Sequence, residues 1–445
     1  MQLPTQRLTR FLMLGITLLI LVTYVKNSGL FQSSIQEVNT IHWNTARHSE
    51  CIPLSAILEP DGKSVRVYVI KTKRLNINAY CFFVPIATGS KSSNSSDLTR
   101  LQYSSNRTQK FRVLTGTAME YLEQETFCDI PANLQPDVLS GQLSVGLTVE
   151  GFNETTILPI RLGLVPKVLS NSTVTFKHQV AICFQPWFNT NRYSVNYLVE
   201  YMELQRNMGA SLFIFYMTEN PADPVRVVLE SYRKRPSLGH TDHFQMKVLQ
   251  WRLPLSNPGK QTWSHAQIIN YNECLFRYAD QAEYILYADL DEIVVTKATL
   301  KPPDGLAKWP DIIRHIKRTP ILNTSTVCFL SRFFPDPRSN KIAMESSVFA
   351  RNVATEVLDP KRTKCLVRSG TFKQMYIHWP LDPPKTIFAS DVATILHYRD
   401  CVRNGLKPCA SNTAYRENTE LQPYRKEVET MVASRLRLIK MFSRD

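Results

Sequence analysis

Residues Tyr284 to Val295 read YILYADLDEIVV, and this stretch constrains the fold more than any other. Tyr284 to Ala288 are apolar, aromatic and β-prone, the pattern of a short buried strand rather than a helical turn. The run then empties into Asp289, Asp291 and Glu292. Carboxylates at the end of a buried strand are costly unless something neutralises them. If the extended geometry continues, Asp289 and Asp291 point to the same side. The simplest neutraliser is a divalent cation, and hard oxygen donors suit Mn²⁺ or Mg²⁺. An acidic turn is the plainer alternative; the apolar lead-in and the third carboxylate weigh against it.

The segments ahead of this stretch place it in an α/β sheet. Val180 to Phe184, Ser211 to Met217 and Phe244 to Trp251 have strand character. Asn191 to Asn207, Pro224 to Arg233 and Ala266 to Ala279 have helical periodicity. Such alternation predicts a mostly parallel, Rossmann-like sheet, with ligands at the carboxyl ends of its strands. No GxGxxG or phosphate-loop motif occurs. Beyond Val295 the alternation breaks, with a helix expected over Pro310 to Arg318 and a strand over Thr326 to Phe334. Tyr424 to Met441 is expected as a surface helix, charged on one face.

Upstream, short alternating runs such as SVRVYVIKT and QLSVGLTVEGF predict a smaller β-rich domain over residues 51–174, ahead of a catalytic domain over 175–445. Phe11 to Val25 is an uncharged apolar run with Arg7 and Arg10 before it and Lys26 after it. No small-residue cleavage site follows, so residues 11–25 are expected to be an uncleaved signal-anchor transmembrane helix, with a cleaved signal peptide as the alternative and the same oxidising compartment under both readings. Residues 1–10 would then be a cytosolic tail and 26–50 a stem, with the rest in the lumen. Acceptor sequons at Asn94, Asn106, Asn153, Asn171 and Asn323 predict glycosylation there. The 9 cysteines form no CxxC pair, which disfavours zinc and points to disulfides, with one thiol left over. The chain is basic, 53 Lys+Arg against 38 Asp+Glu, but the charges are scattered. No basic helix face or zinc-finger spacing accompanies them, so no nucleic-acid partner is expected.

Two enzyme classes place Asp-x-Asp after an apolar strand. An aspartate-nucleophile phosphatase needs the motif on the first strand of its domain and a later acidic pair. Here several strands precede Tyr284, and no Asp-Asp occurs. A metal-dependent glycosyltransferase needs no protein nucleophile, because the cation bridges carboxylates and the departing diphosphate. His378 and His397 are the late histidines able to complete such a metal shell. A non-enzymatic alternative is a membrane-anchored glycan-binding protein, which would have no reason to keep the acidic cluster.

The chain also resembles glycosyltransferase family 92 over roughly residues 178 to 405. The resemblance rests on Cys183-Phe184 with Trp187-Phe188-Asn189, YLVEYMELQRNMGAS, IFYMTEN, Gln267, Asn272-Glu273-Cys274-Leu275, DLDEI, Lys364 to Arg368, His378 and His397-Tyr398-Arg399. Ser369 departs from the family pattern, which has proline after the arginine. The resemblance implies a GT-A fold and a Golgi single-pass type II membrane protein. It implies inverting transfer of galactose from UDP-galactose to a glycan of a glycoprotein or glycolipid, with Mn²⁺. On this footing Asp289 and Asp291 hold the metal, with His397 as first choice for a third ligand and His378 as second. Glu292 is expected to orient a ligand or cap a turn. Gln267 and Asn272 precede the site on a helix, with Asn272 expected to face the nucleotide. Lys364, Arg368 and Arg399 are expected to neutralise the diphosphate, and Glu345 or Asp336 to serve as the catalytic base.

Overall fold

The structure is a computed structural model that describes residues 51–73, 79–86, 103–107, 112–114, 119–149, 155–163, 174–188, 193–221, 223–234, 244–297, 300, 306–322, 326–334, 347–350, 352–382, 387–398 and 414–442. The expected tail, anchor and stem lie outside them. Among the described residues no helix is long and apolar enough to cross a membrane.

The β-rich region is one eight-stranded sheet. Its strands are Cys51–Leu58 (β1), Ser64–Thr72 (β2), Ala79–Pro85 (β3), Tyr103–Arg107 (β4), Arg112–Val113 (β5), Tyr121–Asp129 (β6), Leu143–Val149 (β7) and Thr155–Arg161 (β8). They lie in the order β4-β3-β7-β8-β1-β2-β6-β5, antiparallel except for β1 with β8. Four strands separate β3 from β6, which in a flat sheet means about 24 Å. Yet Cys81 on β3 and Cys128 on β6 are disulfide-bonded, their Cα atoms 5.7 Å apart. The sheet therefore curls over on itself, and Val65, Val67 and Val69 of β2 face Ala79, Cys81 and Phe83 of β3 in one apolar core.

The alternate residues of β2 are buried too: Arg66, Tyr68 and Ile70. They lie on the sheet's other face, and Arg66 reaches out to the carbonyl of Lys373 in the second region. The junction is close. Gly163 just past β8 has φ +53, and a Cβ there would sit 2.9 Å from the backbone carbonyl of Phe276, so only glycine fits.

In the second region the expected β-α alternation is present. His178–Phe184 (β9), Leu212–Met217 (β10), Gln245–Gln250 (β11) and Ala282–Ala288 (β12) are parallel, in the order β11-β10-β9-β12. Val195–Asn207 (α1), Asp223–Lys234 (α2) and Gln267–Tyr278 (α3) connect them. The hydroxyl of Ser194 caps α1 by accepting the Tyr197 N–H, and Gly209 at φ +100 follows its end. The strand order reverses between β9 and β12, where such sheets bind ligands.

The expectation of a mostly parallel sheet holds for these four strands and only in part beyond them. The remaining elements are Glu292–Thr296 (β13), Trp309–Arg318 (α4), Thr326–Phe333 (β14), Val353–Thr355 (β15), Asp359–Arg368 (β16), Gln374–Met375 (β17), Pro380–Asp382 (β18), Ile387–Phe388 (β19), Ala393–His397 (β20), Tyr415–Glu417 (β21) and Arg425–Phe442 (α5). The sheet continues β12-β16-β14-β20-β13, with β16 antiparallel to β12 and β13 antiparallel to β20. Helix α5 is not the simple surface helix expected. Its Arg435 is fully buried, paired with Glu203 of α1 at 3.2 Å and stacked over Tyr232 of α2 at 4.0 Å.

Candidate functional site

Strands β9 and β12 end side by side, with Phe184 opposite Ala288. The chain leaves β12 through a tight turn, in which Glu292 N–H donates to the Asp289 carbonyl at 3.0 Å. The Glu292 carboxylate in return accepts the Asp289 N–H at 3.0 Å, so Glu292 caps the turn as expected. Asp289 and Asp291 thus sit in a turn, not on a continuing extended strand, and the argument that placed them on one side does not apply. The turn carries the chain across the sheet to β13, where Glu292 pairs with His397 of β20. Tyr197 donates to the Leu290 carbonyl at 2.8 Å and Tyr398 N–H to the Asp291 carbonyl at 2.8 Å, which fixes both peptides.

One neutraliser of the cluster is a protein cation. Antiparallel pairing sets Leu366 of β16 opposite Leu286, so Lys364 arrives beside the end of β12. Its ammonium lies 3.2 Å from Asp289 Oδ2 and 3.2 Å from Glu292 Oε2, with the lysine side chain 1% exposed. Burial alone would push Lys364 down; Asp289 and Glu292 outweigh it and hold the lysine well above its ordinary range. Burial and the Asp289 charge together push the Glu292 carboxyl up, against the pull of Lys364. Two carboxylates therefore face one ammonium, with Asp291 as a third carboxylate in the same turn. Asp289 Oδ1 also accepts from Tyr271 at 3.2 Å, and Gln267 donates to the Tyr271 oxygen at 2.7 Å and to Gln185 at 3.0 Å. Gln185 follows β9, so this chain of contacts ties the two strand ends together.

Beside the turn opens a small cleft lined by Phe184, Gln185, Pro186, Trp187, Phe188, Tyr193 and Leu290. Phe188 is 41% exposed and stacks on His265, ring centres 4.7 Å apart. Ser264, His265 and Ala266 all have positive φ, a costly run for residues with a Cβ. It is held by Trp251 Nε1 donating to the His265 carbonyl at 2.7 Å and by Ala266 N–H donating to Thr262 Oγ1 at 3.1 Å.

The sequence model of glycosyltransferase family 92 matches residues 178–435, more than half of the chain. The chain belongs to that family. No curated protein matches it. Among solved structures, that of S. aureus TarS 1-349 is similar at 12% identity and a TM-score of 0.22, covering 40% of this chain and 41% of that one. The chain spans well under half the length of that structure.

In this family 92 member the two late histidines are both close to the acidic turn but differently held. His397 is buried, stacked on Phe333, with Nε2 4.0 Å from Asp291 Oδ2 and Nδ1 3.7 Å from Glu292 Oε1. His378 Nδ1 lies 2.9 Å from the Thr363 carbonyl; a carbonyl only accepts, so Nδ1 carries the proton and Nε2 keeps its lone pair. Burial, then the Lys364 charge, lowers His378 to about 3. Among the described residues no group of three His, Cys, Asp or Glu side chains is placed to hold a metal ion.

Two expected ligand contacts are not where the sequence suggested. Arg368 pairs with Tyr284, the opposite end of β12 from Asp289, because β16 runs antiparallel. Five residue steps lie between Tyr284 and Asp289, roughly 16 Å along a strand. Asn272 is fully buried with both amide atoms engaged. It donates to the Ile268 carbonyl at 2.7 Å and the Met375 carbonyl at 2.9 Å, and accepts the Met375 N–H at 2.8 Å. It clamps a neighbouring segment instead of facing a nucleotide. Arg399, Glu345 and Asp336 lie outside the described residues, as do Asn94, Asn153, Asn171 and Asn323. Asn106 is on β4, opposite Cys81. Ser369, the departure from the family pattern, donates to the Ala282 carbonyl at 2.6 Å. Besides Cys81–Cys128, disulfides join Cys183 to Cys274 and Cys328 to Cys365. Cys51 is a buried thiol, and Cys401 and Cys409 lie outside the described residues. Sequence reasoning missed Gln185, Tyr271 and Tyr197. Their signal is weak, since single polar or aromatic residues at strand ends and on helices are common.

Proposed function

We propose that this glycosyltransferase moves galactose from UDP-galactose to a glycan of a glycoprotein or glycolipid, with inversion and with Mn²⁺ or Mg²⁺, in the Golgi lumen. The carrying observation is the Asp289–Glu292 turn at the point where strand order reverses, beside an aromatic cleft. Phe188, exposed at the mouth of this cleft, offers a ring for a flat base. The surplus of carboxylate over ammonium suits a divalent cation, and the donors are the hard oxygens such a cation takes. When bound, the cation supplies Lewis-acid stabilisation of the leaving diphosphate. Asp289 and Asp291 would hold it. Of the two histidines, His378 has the better-prepared nitrogen, its other N–H fixed by a backbone carbonyl in the manner of metal-binding histidines. His397, stacked and set between two carboxylates, fits the role of orienting them.

Lys364 holds the Asp289 and Glu292 carboxyl groups in place, and a diphosphate would share its positive charge. Glu345 and Asp336 remain our candidates for the base that takes the acceptor hydroxyl proton, and Arg399 for further charge on the donor. Three disulfides support an oxidising compartment, and the apolar run at 11–25 would anchor the chain as a type II membrane protein. The test is a screen of the full chain with sugar nucleotides and saccharide acceptors, reading UDP and product. Turnover with UDP-galactose that vanishes in EDTA and returns with Mn²⁺ is expected. Full turnover in EDTA sinks the metal; turnover only with another sugar nucleotide sinks the donor.

A further inference from the structure

The turn between β17 and β18 displays an aromatic surface that the donor site does not use. The Tyr376 N–H donates to the Trp379 carbonyl at 2.8 Å, closing the turn. Trp379 is 40% exposed, with the Tyr376 ring 5.2 Å and the His378 ring 6.0 Å from its own. Leu381 beyond it is 36% exposed. A tryptophan left this open to water forgoes stabilisation that burial would give, so its exposure calls for a reason.

The turn is rigidly mounted. Asn272 grips Met375 through both its N–H and its carbonyl, at 2.8 Å and 2.9 Å. Gln374 donates to Glu125 at 3.1 Å and Arg66 donates to the Lys373 carbonyl at 2.9 Å, both contacts coming from the β-rich sheet. It is also linked to the acidic turn. His378 is bonded to Thr363, whose neighbour Lys364 holds Asp289. Trp379 therefore follows a histidine linked through Thr363 and Lys364 to the acidic turn, on a base that does not need to be ordered when something binds.

We propose that Trp379, flanked by Tyr376, is the platform on which the acceptor saccharide stacks its apolar face. This rests on the glycosyltransferase reading of the same site. A sugar ring presents C–H groups on one face and hydroxyls at its edge. A wide exposed indole matches the first, and a fixed position linked to the acidic turn brings the second to the donor. A nucleobase is the poorer occupant, because the cleft lined by Phe188 and Leu290 already offers it a place beside the acidic turn.

The experiment uses the full chain with UDP-galactose and methyl glycosides of galactose, N-acetylglucosamine, mannose and fucose as acceptor probes. For whichever acceptor the wild type uses, Trp379→Ala should raise the acceptor KM about tenfold while the donor KM holds. Trp379→Phe, which keeps a ring, should recover most of that loss. An acceptor KM unchanged within about twofold in Trp379→Ala overturns the platform while leaving the transferase reading intact. If the wild type transfers from no sugar nucleotide, the transferase reading falls and the platform's occupant with it. Sedimentation of wild type and Trp379→Ala reads the competing occupant: a dimer lost on substitution assigns the tryptophan to a second copy of the chain and overturns the proposal.

Discussion

Lys364 Nζ lies 3.2 Å from Asp289 Oδ2, and neither group is freely hydrated. The contact spans two strands of different sense, since Lys364 rides β16 up to the point where β12 runs out. The chain brings its own cation to the end of its most acidic strand.

Removing that cation leaves Asp289 and Glu292 facing each other without it. Lys364→Met should cost about 3–5 kcal/mol of unfolding free energy, the usual penalty for breaking a buried pair from one side. Urea denaturation reads it. Adding Glu292→Gln to the same chain should restore part of the loss, because one of the stranded charges is gone. A Lys364→Met chain as stable as wild type would mean that the pair carries no weight.

Asp291→Asn tests the acidic turn with little change of shape. Its backbone carbonyl still accepts the Tyr398 N–H, so the thermal midpoint should move by only a few degrees. Transfer should fall by about a hundredfold or more, the scale for losing a group that acts on the departing charge. Retained transfer would place the chemistry elsewhere.

Glu123 on β6 is buried and accepts the Ile269 N–H at 2.9 Å, near the start of α3. Burial raises it from 4.5 to about 8, the backbone bonds opposing. A carboxyl with its folded value above its unfolded one prefers its proton in the folded chain. Its contribution to stability is complete below about pH 4.5 and is lost as the pH rises through about 8. Glu123→Gln keeps an acceptor for Ile269 and removes the titration. The variant's unfolding free energy should therefore fall less than the wild type's between about pH 5 and about pH 8. Equal slopes would refute a buried neutral Glu123.

Asn272→Ala should loosen the segment that carries His378 and Trp379. Three hydrogen bonds go at once, including both that grip Met375. A loss of about 1–3 kcal/mol is expected from the buried groups left behind. Faster amide exchange at Met375 than in wild type is the direct reading.

The acidic turn was legible because contiguous apolar residues mark a buried strand whatever it packs against. The four parallel strands were legible for the same reason. Arg368 was misplaced because a sequence gives no strand direction. Lys364 and Arg368 look equivalent four residues apart, and only antiparallel pairing decides that the first meets Asp289 and the second meets Tyr284. Asn272 was misjudged because α3 has no outer face to tell from an inner one: every residue from Gln267 to Tyr278 but Arg277 is buried. Even Arg277 lies against Glu273. Arg435 escaped notice because its partner Glu203 lies far away in sequence.

The recognisable family segment begins at residue 178, whereas Glu123, Glu125 and Arg66 reach across that boundary to Ile269, Gln374 and Lys373. What is shared as sequence is thus shorter than what folds. The strands before residue 178 supply wall and props to the transferase region while bearing no signature of it. They form a foundation outside the matched segment, and a relative lacking them would have to brace α3 and the Trp379 turn by other means.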